Sequence, residues 1–256
     1  MGNQILMDIK DQIATISINR PEALNALSKE IIDEMDEMIE SIKGNKDVRV
    51  LIFYSKDNFA AGADIKVMAT CNPKQAKEFV FTDTYNKIHD LDIPTIAAID
   101  GYAFGGGLEL ALTCDFRIVS KDAKMGLTEL NLGIMPGAGG TVRLARLIGE
   151  SKAKEMIFLS KVIDGLEAEK LGLANTTVDK EDLYSTTVSW ANKLKRKSSV
   201  SLASAKKSIE NGIRDTDIHS STNKEAEIWS ELFDTYDQKE GMAAFIEKRK
   251  PIFLGK

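Results

Sequence analysis

Short β-branched runs alternate with segments of helical period along the first two-thirds of the chain, and that alternation restricts the fold more than any other feature. Ile13–Ile18, Val48–Tyr54, Pro94–Ile99 and Phe116–Val119 read as strands. Between the first two, Ile31, Ile32, Met35, Met38, Ile39 and Ile42 recur at helical spacing, with Ser28 placed to cap the start and Gly44 just past the end. A helical stretch is expected from Pro73 to His89, a buried helix start at Leu108–Leu112, and a helix over Thr141–Ile148 that stops at Gly149. From about residue 151 helical periods dominate, over 151–160, 181–195, 200–211, 224–236 and 239–248. The expectation is an α/β protein with a helical end.

Composition narrows the function. With 256 residues, 43% of them hydrophobic and 29% charged, the chain suits one domain, or two unequal ones, with a sizeable core, and it lacks the bias of a disordered chain. Its 34 basic and 39 acidic residues leave a net charge of −5, whereas chains that bind nucleic acid usually carry a basic surplus. Cys71 and Cys114 have no Cys-x-x-Cys partner, so neither a disulfide framework nor a zinc ribbon is expected. His89 and His219 are too few for a histidine-rich metal site, and no metal is expected. The segment Met1–Leu6 shows no basic stretch leading into an apolar one, and Leu6 stands where a myristoylation motif takes Ser or Thr. No apolar run approaches the length of a membrane span, so the expected location is the cytoplasm, away from any membrane.

Three segments break the local pattern, and such breaks gather at functional sites. Phe59-Ala-Ala-Gly-Ala-Asp64 packs small residues around Gly62; this lets a ligand approach the backbone, although an ordinary tight turn reads the same way. Gly101-Tyr-Ala-Phe-Gly-Gly-Gly-Leu-Glu-Leu-Ala111 sets three glycines before a helix, leaving bare N–H groups at its start that suit an anion or an oxyanion. It is neither a Gly-x-Gly-x-x-Gly turn, since Leu110 stands at the sixth position, nor a phosphate loop. Glu109 lies among Leu108, Leu110, Ala111 and Leu112. Either it is buried, with a raised pKa that suits acid–base work, or it faces water on an amphipathic helix.

The third segment runs from Met125 to Gly140 and carries Glu129 among Leu127, Leu130 and Leu132. Glu129 either joins the site or caps a turn through nearby N–H groups. No Gly-x-Ser-x-Gly elbow and no cysteine with a histidine nearby supply a nucleophile. Two glutamates with backbone donors suit proton transfer beside a carbonyl whose enolate oxygen is held by N–H groups.

In this order and spacing the chain resembles the crotonase (enoyl-CoA hydratase/isomerase) superfamily over nearly its full length. The resemblance is carried by Ile18-Asn-Arg-Pro-Glu-Ala-Leu-Asn-Ala-Leu27, Phe59–Ile65, Pro94–Glu109, Cys114-Asp115, Glu129–Gly140 and Ala243-Ala-Phe-Ile-Glu-Lys-Arg-Lys250. It implies a spiral of ββα units over 1–195 holding the acyl-CoA site, and a helical C-terminal region over 196–256 that drives trimerisation, with trimers often paired into hexamers. It places oxyanion-hole N–H groups at Ala63 and Gly106. The glutamates at 109 and 129 match the two of the hydratases: Glu109 positions and activates water for C3, and Glu129 exchanges a proton with C2. Gly137 matches a backbone lining the water pocket. For CoA the resemblance points to the backbone around Ala23 and Leu24, to Ala61 near the adenine, and to Phe245 and Lys248 reaching a neighbouring subunit's CoA. Coenzyme A enters as part of the substrate, and no prosthetic group is implied. Many hydratases carry Gln-Pro before the second glutamate; here Leu127-Thr128 stands there, a change expected to alter the pocket beside the acyl chain.

The expected reaction is reversible hydration of a 2-enoyl-CoA to a 3-hydroxyacyl-CoA. A sibling reaction on the same scaffold, enoyl-CoA isomerisation or another acyl-CoA lyase step, is the alternative, and isomerases commonly lose the equivalent of Glu109. A homologue that binds RNA or protein without catalysis is a third reading, for which Lys195-Arg-Lys197 and Lys206-Lys207 are the basic clusters to offer.

Overall fold

Val50-Leu-Ile-Phe53 and Ile96-Ala-Ala-Ile99 have no wet side, the pattern of strands covered on both faces. They lie in the middle of a six-stranded sheet in the computed structural model, which describes residues 4–78 and 81–256. Residues 1–3, where the reading of the N-terminus begins, and 79–80, inside the helix expected over 73–89, lie outside the described residues. The strands are β1 (Ile5–Lys10), β2 (Ile13–Ile18), β3 (Val50–Tyr54), β4 (Thr95–Ile99), β5 (Tyr102–Phe104), β6 (Phe116–Ser120), β7 (Lys124–Gly126) and β8 (Thr176–Val178). The helices are α1 (Lys29–Ile42), α2 (Ile65–Met68), α3 (Pro73–Glu78), α4 (Thr82–His89), α5 (Gly106–Ala111), α6 (Gly140–Ile148), α7 (Glu150–Phe158), α8 (Gly165–Lys170), α9 (Leu183–Leu194), α10 (Ser199–Arg214), α11 (Ile218–Glu231) and α12 (Tyr236–Ile246).

The large sheet has the order β1-β2-β3-β4-β6-β8 and is parallel except for the β1–β2 hairpin, where Ile5 faces Ile18. A second layer is built from short pieces. Ala60 bridges Ala103 of β5, β5 pairs in parallel with β7 in the register Tyr102↔Lys124, and Met125 of β7 bridges Ile163. Each turn of the chain thus lays one strand in the large sheet and a short one in the second layer, then runs on into a helix. This is the spiral of ββα units.

Several elements depart from the sequence reading. The β1 strand carries only Ile5 as a buried residue, so it shows no clean alternation, and β8 is three half-buried residues long. The stretch over 73–89 is two described helices, α3 and α4. The 224–236 segment begins earlier, at Ile218, and closes in a 3-10 turn over Leu232–Asp234.

The chain divides into two units inside α9: Met1–Leu91 with Thr95–Ala191, and Asp92–Pro94 with Asn192–Lys256. The first holds the sheet and a core that includes Leu27, Leu51, Ile52, Tyr85 and Ile96. In the second, the tail folds back on α12. Buried Asp237 accepts N–H bonds from Leu254 (2.7 Å) and Gly255 (3.0 Å), and Glu240 accepts from Ile252 N–H (2.7 Å) and pairs with Arg249 (2.6 Å). Among the described residues no helix is long and apolar enough to cross a membrane.

Candidate active site

The loop after β3 runs beside β5. Ala60 N–H donates to Tyr102 O (2.9 Å) and Phe104 N–H donates back to Ala60 O (3.1 Å). The loop then bridges Leu27: Leu27 N–H donates to Gly62 O (2.8 Å) and Asp64 N–H to Leu27 O (2.9 Å). In a parallel bridge of this form the middle residue, Ala63, turns its own N–H away from the partner strand. Asp64 fixes the far end of the loop by capping α2 through Lys66 N–H (3.1 Å) and pairing with Arg20 (2.9 Å).

The second donor comes from the start of α5. Gly105 stands at φ +48°, a conformation side chains rarely adopt, and a Cβ there would lie 3.1 Å from Glu129 Oε1. Gly107 passes so close to the loop that a Cβ would lie 2.2 Å from Ala60 O. Gly106, the first residue of the helix, has no intrahelical acceptor for its N–H. Leu27 links the two donors: its backbone bridges Ala63, and its side chain comes within 3.5 Å of the place a Cβ on Gly106 would occupy. Among the described residues neither the Ala63 nor the Gly106 N–H meets an acceptor. The other end of α5 is tied by the buried guanidinium of Arg117, which donates to Ala111 O (3.3 Å), Cys114 O (2.6 Å) and Leu173 O (2.6 Å).

Glu109 is 3% exposed, and its Oε1 accepts N–H bonds from Ala138 (2.8 Å) and Gly140 (2.7 Å). The buried alternative of the sequence reading therefore holds. Burial raises its pKa, opposed by those two N–H groups and by the charge of Arg143. Glu129 opens a 3-10 turn over Glu129–Leu132 that follows directly from β7, and its side chain reaches Gly105 at the start of α5. Its Oε2 is buried with no hydrogen-bond partner among the described residues. Burial, aided by the charge of Glu109 and resisted by its own N–H, pushes its pKa up to about 7.

The other expected positions fall into two groups. Ala23 and Leu24 lie in a turn that Arg20 and Asn25 hold shut, with Arg20 N–H donating to Asn25 Oδ1 (2.9 Å); Ala61 N–H donates to Leu24 O (3.1 Å), so these three are brought together with Ala63. Gly137 adjoins Ala138 and accepts from the Thr82 hydroxyl (3.2 Å). Phe245 and Lys248 belong to the second unit, where Phe245 is 84% exposed on α12 and Lys248 follows at φ 56°.

Sequence reasoning passed over Tyr85, Phe81 and Arg143. Fully buried Tyr85 donates its hydroxyl to Gly106 O (2.7 Å), and the Phe81 ring lies 3.4 Å from the place a Gly106 Cβ would occupy. Arg143 donates to Ala138 O (3.0 Å) and to Asn86 Oδ1 (2.7 Å). Phe81, Tyr85 and Ile88 share a helical apolar face that reads as core, and only the glycine segment preceding Arg143 hints at a special role for that arginine.

The site is therefore one buried carboxyl, Glu109, and one half-buried carboxyl, Glu129, both with raised pKa, beside two outward-turned N–H groups on a ββα spiral. Residues 8–256 match the sequence profile of the family described as enoyl-CoA hydratase/isomerase. A short-chain-enoyl-CoA hydratase of Clostridium acetobutylicum is 39% identical over 97% of this chain and 96% of its own length. A crotonyl-CoA hydratase of Syntrophomonas wolfei is 38% identical over 98% of each chain. The crystal structure of an enoyl-CoA hydratase from Bacillus anthracis superposes with a TM-score of 0.95 at 37% identity, covering 99% of this chain and 100% of that one. The chain belongs to the enoyl-CoA hydratase/isomerase family.

Proposed function

We propose that the protein is an enoyl-CoA hydratase, adding water reversibly to a 2-enoyl-CoA to give a 3-hydroxyacyl-CoA. The observation that carries the reading is that Glu109 lies within α5 while the Glu129 side chain reaches Gly105 just before it, close enough for the charge of Glu109 to act on Glu129. The thioester oxygen accepts from Ala63 N–H and Gly106 N–H, which hold it as negative charge develops; one such donor is worth about 3–4 kcal/mol in other enzymes. The dipole of the α5 first turn acts in the same sense. Glu109, ionised, takes a proton from water as its oxygen bonds to C3. Glu129, protonated, delivers its proton to C2 as the enolate collapses. Dehydration runs the same transfers backwards. Gly137 lines the place of the water.

CoA lies along the backbone of Ala23, Leu24 and Ala61, with Ala61 near the adenine. Phe245 and Lys248 reach the CoA of a neighbouring copy, in a trimer or a dimer of trimers held by residues 196–256. Lysine near a phosphate is electrostatically sound. The reaction as drawn uses only the chain's own carboxyls and N–H groups on the acyl-CoA. Leu127 is fully buried beside Gly140, and we read Leu127-Thr128 as a determinant of acyl-chain choice.

The test is a panel of acyl-CoA thioesters, with hydration seen as loss of the ultraviolet absorbance of the conjugated thioester. Glu109→Gln and Glu129→Gln are each expected to lower kcat by about 10²–10⁴-fold while leaving cooperative unfolding intact. Wild-type rates in both variants would refute the mechanism. Isomerisation of a 3-enoyl-CoA with no turnover of any 2-enoyl-CoA would assign the sibling reaction instead.

A further inference from the structure

We propose that Arg143 is a positioning residue whose guanidinium braces the Pro136–Gly140 turn in the form that aims two N–H groups at Glu109. The inference rests on the reading of Glu109 as the group that activates water. A turn with glycine at 137, 139 and 140 has little stiffness of its own. Yet its Ala138 and Gly140 N–H groups converge on one carboxylate oxygen at 2.8 and 2.7 Å. Arg143 supplies the missing rigidity. Its Nη1 donates to Ala138 O (3.0 Å), the carbonyl of the residue whose N–H meets Glu109, and its Nη2 is anchored on Asn86 Oδ1 of α4 (2.7 Å). Its own N–H donates to Gly139 O (2.8 Å). Gly139 itself stands at φ +102°, which favours glycine, and the guanidinium lies so close across the turn that a Cβ there would come within 2.1 Å of Nη1.

The charge matters as well as the brace. Glu109 is faced by Arg143 from α6, Tyr85 from α4 and Glu129 from the 3-10 turn, and Arg143 in turn is faced by Asp90 and Arg146. Arg143 is the cation of that set that holds down the burial-driven rise in Glu109. Hydration needs Glu109 ionised, so losing the guanidinium moves the acid-side limb of the kcat profile to higher pH.

The experiment compares Arg143→Met, Arg143→Lys and Asn86→Ala with the wild type in the full chain, using a short 2-enoyl-CoA across a range of pH. Arg143→Met is expected to lose about tenfold or more in kcat with KM little changed, because misplacement of a catalytic group costs rate more than binding. Its acid-side limb should move up in pH. Arg143→Lys keeps the charge, so the limb should return while kcat recovers only in part. Asn86→Ala loosens only the anchor and should lower kcat without moving the limb; it keeps the idea testable if Arg143→Met does not fold. A folded Arg143→Met with wild-type kcat and an unmoved limb overturns the inference, as does an Asn86→Ala enzyme with unchanged kcat. A wild-type rate in Glu109→Gln would instead overturn the underlying reading of the site.

Discussion

Glu129 keeps its proton at a pH where an ordinary glutamate has lost it, because its buried Oε2 finds no donor and Glu109 is close enough to be felt. In the proposed mechanism the two carboxyls act as a pair that shares one proton in its working state. On that proposal hydration draws on the form with the proton on Glu129, and dehydration on the form with it on Glu109. For hydration, kcat/KM should fall as pH rises through about 7, where Glu129 ionises, and fall again on the acid side as Glu109 takes up a proton. Glu129→Gln should lack the alkaline limb in whatever activity remains. A rate that stays level well above pH 7 in the wild type would remove Glu129 from the acid role. Both glutamates were legible in the sequence because a charged residue among leucines is conspicuous. Tyr85 and Arg143 were not, since an aromatic on an apolar face and a basic residue on a helix are what any core and any surface contain.

The elements place these groups through one small ladder. The β5 and β7 strands pair in parallel, and each runs straight on into the segment bearing a glutamate, α5 or the 3-10 turn. The separation of the two carboxyls is thus set by backbone hydrogen bonds. Glycines along this path divide into two kinds. At Gly107 a methyl group would strike Ala60 O, forcing α5 off the loop that carries Ala63. Gly107→Ala should cost about 1–3 kcal/mol or more in unfolding free energy and take activity with it. At Gly137 a methyl group meets nothing within 4 Å. Gly137→Ala should leave the melting temperature in place and slow hydration by occupying the water's position, and denaturation curves beside initial rates separate the two outcomes. The long, strongly periodic elements were readable, with Ser28 capping α1 as its position suggested. Strands β1 and β8 were hidden, because neither buries enough of its side chains to write a pattern.

On the scale of the whole molecule, the second unit leaves large apolar side chains in the open. Trp229, Phe245, Ile246 and Ile252 are all exposed in the single chain, where an isolated domain would be expected to cover most of them. A neighbouring copy is the occupant the proposed trimer supplies, and sedimentation equilibrium should give three or six times the mass of one chain. If Lys248 then reaches a neighbour's CoA, Lys248→Ala should raise KM for the CoA thioester but not for the corresponding pantetheine thioester, which lacks the nucleotide phosphates; an equal effect on both would place Lys248 elsewhere. If Ala63 and Gly106 hold the thioester oxygen as proposed, these donors have a different kind of consequence, one for inheritance. Because Ala63 and Gly106 contribute main-chain N–H groups, no change of side chain deletes them unless it also bends the backbone. The proposed acids, by contrast, sit on two short segments where a single codon would alter the chemistry. On that reading mutation can explore new reactions of an activated thioester while the means of activating it is passed on almost untouched.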